Sequence, residues 1–367
     1  MYFLAIPFSY SAANIRPNDM IAGMPAMSAI SGMAHNVERL LRDQLEVQSL
    51  TGKAFSLVYF NLDRDIASPR RPPEKLGGGS DMILPALVDI RRAHGEAMLV
   101  VNFDIPNQED MDRFARLSCG QEGLARIESI LNARLRFAGG EIFLGLSGEF
   151  GNSPLNVGIH QAWGDVLTLM LKAYPTQGLL IQDMSHLVTS AAIEGGLSTL
   201  DAMAELVYQS KLALKSNFKK ASTSGNDLPP SSVGTAVDEQ DLSGFGSDTE
   251  IGSYTELDDL DVLDLGDEDL AGHESDVTTL EESTPEPAYL GVLIPCAVGF
   301  HEVCAGHEGD GSYPHVFVES VLSLVRARSV PSVKRDISQA REPWQAHFWR
   351  WEHLPHHRLY RAVSFSK

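Results

Sequence analysis

The stretch Gly23-Met24-Pro25-Ala26-Met27-Ser28-Ala29, followed by Gly32 and His35, carries residue types suited to binding. Gly23 permits an unusual backbone angle and Pro25 suits a helix entry. The free N–H groups at a helix start are a ready site for phosphate. The small residues Ser28, Ala29 and Gly32 would let that helix approach another backbone closely. Taken alone, the same pattern is ordinary helix-start punctuation. His35 is the general-base candidate. Its neighbours Ala34, Val37 and Leu40 point instead to a packed structural histidine, and no nucleophile or second acid stands at a telling spacing. Cys296, His301, Cys304 and His307 have zinc-ligand chemistry but lack the two close pairs that frame a turn in a structural site. Gly77-Gly78-Gly79-Ser80 lacks the Gly-Lys-Ser/Thr ending of a phosphate loop. Three sets of arginines remain. Arg70-Arg71 sit between Pro and Gly-rich residues, suited to backbone contacts. Arg134 and Arg136 are read on one face of a strand, next to the Gly139-Gly140 pair that allows close approach of a nucleic-acid backbone. Arg326 and Arg328, with Lys334 and Arg335, form a candidate phosphate-tracking patch. For each arginine the alternative is a solvated or salt-bridged surface residue.

The elements that must position these residues alternate between strand and helix before residue 222. Strands are expected over Tyr2–Phe8, Phe55–Asn61 and Ala97–Ile105. Met27–Leu45 has helical spacing through Ile30, Met33, Val37 and Leu40–Leu41. Asn107 and Gln121 open two further helices, the second running to about Arg134. Leu135–Leu146 reads as a strand pair broken by Gly139-Gly140. His160–Ala173 reads as a helix, Gly178–Gln182 as a short strand and Leu197–Lys219 as a long helix. Tyr289–Cys296 and His315–Val325 are late strand candidates. The tail, with Trp344, Phe348, Trp349 and Trp351 among His and Arg, is expected to be irregular and to serve packing or a protein interface. No internal repeat is visible. Mixed elements with few parallel βαβ signals indicate an α+β fold.

Composition separates one segment from the rest. Residues 222–287 hold 19 of the chain's 49 acidic residues and no Lys or Arg, which leaves 30 acids against 29 basic residues elsewhere. The net charge of −20 therefore belongs almost wholly to that segment, and the body can still present basic patches. Dense like charge with Ser, Gly and Pro is expected to leave 222–287 as a disordered acidic insertion between 1–221 and 288–367. Its LDDLDVLDL stretch alternates acidic and apolar residues, a pattern able to fold on a partner. MYFLAIPF lacks a basic n-region and a cleavage site, so it reads as a first strand. Three cysteines are too few and too irregular for a disulfide framework, which fits a reducing cytoplasm. No apolar run approaches a membrane span.

Ala13-Asn14 followed by GMPAMSAISGMAHNVERL resembles the N-terminal signature of the Csy-two-type protein, the Cas-five-class subunit of type I-F CRISPR surveillance complexes. Gly23, Pro25, Gly32, His35 and Arg39 match that signature. Met24 and Met33 depart from it, standing where aromatic residues are usual. Arg134-Leu135-Arg136-Phe137-Ala138-Gly139-Gly140 resembles the family's Arg-containing stretch ending in Ala-Gly-Gly. Pro295–Phe300 and Phe317-Val318-Glu319-Ser320-Val321 resemble its late Val-Gly-Tyr and Phe-Val-Glu-x-Val segments.

The resemblance implies a ferredoxin-like, RNA-recognition-type (RAMP) core with an inserted hairpin or subdomain. It also implies a non-catalytic role: binding the 5′ handle of the crRNA, pairing with the large subunit, contacting the first backbone subunit, and reaching target double-stranded DNA through the complex. No cofactor and no metal are expected. The residues expected to bind RNA are Asn14, Arg16, Gly23, Pro25, His35, Arg39, Arg70, Arg71, Arg134, Arg136, Gly139, Gly140, Arg326 and Arg328. A crRNA-processing endoribonuclease of the same superfamily, and a protein-interaction module acting through its acidic segment, are the alternative readings.

Overall fold

A computed structural model describes residues 1–16, 23–67, 74–75, 82–83, 90–118, 120–148, 152–223, 292–303 and 318–365. Arg70, Arg71, the Gly77–Gly79 run, Cys304, His307 and all of the expected acidic insertion beyond Thr223 lie outside the described residues.

The fold is mixed α+β, built on a ten-stranded sheet whose ladders are all antiparallel among the described residues. Strand β1 (Tyr2–Asn14) leads into helix α1 (Met27–Leu45), then β2 (Thr51–Ala67). The two-residue strands β3 (Glu74–Lys75) and β4 (Met82–Ile83) pair with each other, and β5 (Ile90–Asp104) returns beside β2. Helices α2 (Gln108–Ser118) and α3 (Gln121–Arg134) then lead to β6 (Glu141–Leu144). In this first half the order is β-α-β-β-α-β, and the four strands lie side by side as fourth, first, third, second: β6-β1-β5-β2.

After β7 (Gly158–His160) and α4 (Trp163–Ala173), the second half repeats much of this plan. Strand β8 (Leu179–Asp183) is followed by α5 (Ser185–Gly195), α6 (Thr199–Thr223), β9 (Val292–Glu302), β10 (Val318–Ser329) and α7 (Val330–Ser338). Its strands lie as first, third, second (β8-β10-β9), and β2 of the first half occupies the fourth place. A hairpin, β11 (Trp349–Leu354) and β12 (Leu359–Ser364), completes the sheet. Here the tail departs from the irregular structure expected of it. Strand β12 pairs with β9 while Trp349 of β11 pairs with Phe55 of β2, so six strands close back on themselves. Fully buried Trp349 fills the closure and donates Nε1–H to the Ile181 carbonyl at 3.0 Å.

Alternation along the central strands sorts two cores. Leu4, Ile6 and Phe8 of β1 and Leu99, Val101 and Phe103 of β5 pack with Met27, Ile30 and Val37 of α1, Phe114 of α2 and Leu131 of α3. Phe3, Ala5, Met98 and Val100 face the other way, onto Trp163, Val166 and Met170 of α4 and Val330 and Val333 of α7. A third cluster seats α5 and α6 on Leu293 of β9 and Leu324 of β10. The four central strands are thus covered on both faces, unlike an antiparallel sheet with one wet face. Among the described residues no helix is long and apolar enough to cross a membrane.

Candidate nucleic-acid interface

The end of β1 is not a regular strand. Its ladder with β5 shifts between Tyr10 and Ala13, and Ala12 adopts φ 59°, a left-handed backbone costing an L-residue roughly 1–2 kcal/mol. The Ala12 N–H donates to His94 Nδ1 at 3.4 Å, and Ser11 Oγ lies 3.1 Å from the same nitrogen. Against this bulge sits a two-residue hairpin turn. Phe137 and Gly140 exchange both backbone hydrogen bonds, at 3.1 and 2.8 Å, around Ala138 (φ 46°) and Gly139 (φ 83°). Two positive φ values make a type I′ turn, whose first place usually takes Asn, Asp or Gly. Alanine there is strained, and the Ala138 carbonyl is held by the Asn14 N–H at 3.0 Å. Gly140 has no room for a side chain: a Cβ would lie 2.4 Å from the Ser11 carbonyl oxygen and 2.7 Å from the Ala13 nitrogen. Strain of this kind persists only where surrounding structure over-determines it, and it clusters at functional sites.

The bulge, the turn and the start of α1 enclose a cleft of about 280 Å³ lined by Asn14, Ala26, Ala29, Arg136, Ala138 and Gly139. Its floor is small-residue backbone. Gly23, at φ 143°, closes the approach to α1 by donating its N–H to the Ile15 carbonyl at 2.9 Å. Buried Pro25 lies at the entry to α1, one residue outside the N-cap, Ala26. The N-cap residue Ala26 offers no side-chain cap to α1, and no acid lies in its first turn. The first helical N–H, that of Met27, meets the buried Cys296 sulfur, whose thiol points at the Pro25 carbonyl 3.7 Å away. Burial pushes the Cys296 thiol up to about 12, against the pull of that N–H, so a neutral SH seats the helix start.

The rim of the cleft is basic. Arg136 is exposed and its Nη1 donates to the Leu135 carbonyl at 2.9 Å. The Arg16 N–H donates to Asn14 Oδ1 at 2.9 Å. Arg92 is the ladder partner of Asn14, Arg64 faces Ala93 beside it, and the Arg91 carbonyl accepts from the Ile15 N–H. Asp63, Asp65 and Glu141 stand at the same end of the sheet, Asp65 as the ladder partner of Arg92, so the basic character is an excess and not a uniform field. Sequence reasoning missed Arg64, Arg91 and Arg92, because the expected strands stopped at Asn61 and started at Ala97. The Ile-Arg-Arg-Ala-His run has no strand alternation of its own and is ordered by pairing with β1 and β2.

The remaining expected residues separate. Arg134 is the last residue of α3, so it does not share a strand face with Arg136, although both are exposed. His35 is not packed: its side chain is 74% exposed on the outer face of α1, 3.6 Å from Glu38. Arg39 lies one turn further along the same face and donates to Asn36 Oδ1 at 3.0 Å. A Cβ at exposed Gly32 would touch nothing within 4 Å among the described residues. Arg326 and Arg328 are committed elsewhere. Arg326 Nε donates to Gln182 Oε1 at 3.2 Å, while Arg328 bonds both Asp336 and Glu342. That network ties β10 to α7 and offers little to a phosphate. His301 is exposed on β9, away from buried Cys296. The chain matches no family model and no curated protein.

Proposed function

We propose that this chain is a non-catalytic, cytoplasmic subunit of a type I-F CRISPR RNA-guided surveillance complex, holding the 5′ handle of the crRNA at the start of α1. The observation that carries the reading is the cleft itself. Three segments on which the resemblance rests, around residues 14, 26–29 and 136–139, line one concavity although more than a hundred residues separate the first from the last. A helix start with no acid in its first turn, an exposed arginine and a glycine turn suit a phosphodiester backbone with unpaired bases. Met24 and Met33, the departures from the family pattern, are both buried in the core, so they alter packing and leave the cleft intact. The strand order fourth-first-third-second with two helical crossovers supports a ferredoxin-like RAMP core for the first half. In this reading the exposed basic rim and the outer face of α1 meet RNA, and the large and backbone subunits of the complex cover adjoining surfaces.

The test is co-expression of the tagged chain with its neighbouring genes and a repeat–spacer array, followed by sequencing of the RNA that copurifies. Recovery of guides sharing one 5′ handle, reduced at least several-fold by Arg136→Ala, is the expected result. Recovery of protein partners without RNA would overturn the reading in favour of an interaction module. RNA cut by the purified chain alone would overturn it in favour of a nuclease.

A further inference from the structure

The β11–β12 hairpin and β9 carry a ladder of aromatic rings that the core does not absorb. Tyr360 is its centre: the His353 ring lies 4.0 Å away at 9°, Phe300 4.8 Å at 21°, and Trp351 6.3 Å at 28°. Cross-strand pairing sets this up, since Tyr360 faces His353 on β11 and Phe300 on β9. Trp351 keeps 40% of its surface exposed, whereas Trp163 and Trp349 are buried. It also lines a second cleft against α1, shared with His35, Lys53, Arg350 and one acid, Glu38, which lies 3.6 Å from His35, while Lys53 reaches Asp104 at 3.7 Å. The buried Nε of Arg350 has no hydrogen-bond partner there.

Charge on this hairpin runs against that of the whole chain. Its one acid, Glu352, is held by Arg361 through Nε and Nη2, each at 2.9 Å. The hairpin also carries Arg350, Arg358, His353, His356 and His357. Ring faces bordered by cations are the composition of a single-strand nucleic-acid surface, where each base stacks on a ring and the backbone follows the positive charge. RNA-recognition modules place such rings on the central strands of an open sheet. Here helices cover both faces of those strands, and the exposed rings lie on the added hairpin instead.

We propose that Trp351, backed by Tyr360 and His353, is a stacking platform for one unpaired base of RNA, with His35, Lys53 and Arg350 holding its phosphate. The platform rests on the RNA-binding reading and adds a contact apart from the first cleft: His35 lies eight residues along α1 from Met27, about 12 Å of helix rise.

Titration of the full chain with a single-stranded adenosine octamer and an abasic ribose-phosphate octamer of equal charge tests it, read by tryptophan fluorescence and by anisotropy of end-labelled oligomer. The adenosine octamer is expected to bind about tenfold more tightly than the abasic one and to quench emission. Trp351→Ala and Tyr360→Ala should each erase that preference, and Trp351→Phe should restore most of it. Equal affinity for the two oligomers, or a preference that survives Trp351→Ala, overturns the platform. Trp351→Leu, which keeps the apolar bulk, serves if the alanine variant does not fold. A change in Trp351 emission on deleting 224–287, reversed by a peptide of residues 256–270, would give the surface to the chain's own acidic stretch and also overturn it. Handle capping fails separately: it is lost if the copurified RNA has no common 5′ end, whatever the octamers do.

Discussion

At the scale of single residues, the cleft depends on backbone positions that tolerate few side chains. Gly139 and Gly140 are adjacent and look alike in sequence, yet they do different work. Gly139 has open space around it but a φ of 83°, so Gly139→Ala should cost about 1 kcal/mol through the left-handed backbone alone. A methyl at Gly140 would press on the Ser11 carbonyl and the Ala13 nitrogen, neither of which is a movable side-chain tip. Gly140→Ala should therefore cost more, about 2–3 kcal/mol, and displace the bulge that presents Asn14. Chemical denaturation of the two variants checks the order; a Gly139 variant less stable than the Gly140 one would mean that the bulge yields easily. The Ala-Gly-Gly string reads in the sequence as a place where a nucleic-acid backbone comes close, whereas Gly140 meets the chain's own Ser11 and Ala13. That contact was not legible, because it joins positions more than a hundred residues apart.

At the scale of elements, the sequence disclosed those with strong internal periodicity. Helix α1 buries Ile30, Met33, Val37, Leu40 and Leu41, and its ends fall where the 3.6-residue spacing puts them. Helix α5 has a single buried residue, Val188, and so carried no stripe to read. A different weakness hid β11 and β12: each is six residues long, the Trp-Arg-Trp-Glu alternation of β11 is brief, and β12 depends on pairing with β9 and β11 for order. The arginines of β10 were read as a surface patch because their carboxylate partners, Asp336 and Glu342, come only after the strand ends. Arg328 is about 14% exposed and faces both, so Arg328→Ala should leave Asp336 with only the longer contacts to Arg335 and Arg341, and Glu342 with Gln182, at a cost of about 3 kcal/mol. RNA recovered per folded molecule should not change, and a parallel loss would return Arg328 to the binding surface. His347 adjoins this network, fully buried with Nε2 3.4 Å from Glu342. Burial lowers it to about 4, more than the carboxylates Glu342 and Asp336 raise it, with Arg328 and Arg326 adding to the lowering. An unfolded histidine titrates near 6.5. Between those values the unfolded chain binds the extra proton, so stability should fall as pH drops from about 6.5 to 4. Melting temperatures across that range should flatten in His347→Gln relative to wild type; parallel curves would mean that His347 titrates normally in the folded protein.

At the scale of the whole molecule, two β-α-β-β-α halves share one sheet, with the helices of the first on one face and those of the second on the other. Local pattern cannot announce this arrangement, since strand order and the closure through Trp349 and Phe55 are set by tertiary packing. Charge, by contrast, was fully legible. The acidic stretch begins after α6 and ends before β9, two elements already joined where Ser210 Oγ accepts the Leu293 N–H at 3.3 Å. Replacing 224–287 by a short linker should therefore leave the circular-dichroism signature of the sheet and helices in place, while removing 19 negative charges from a net of −20. A body near neutrality with basic rims should then bind a single-stranded RNA more tightly at low salt. The Debye length is roughly 10 Å at 0.1 M and 3 Å at 1 M, so any repulsion exerted by the acidic stretch fades as salt rises. The expected outcome is two lines of log affinity against log salt that converge toward 1 M, the shortened chain lying above at 0.05 M. Lines that run parallel would mean that the stretch competes for the RNA surface by direct contact. Lines that coincide throughout would mean that its charge never reaches the binding surface at all.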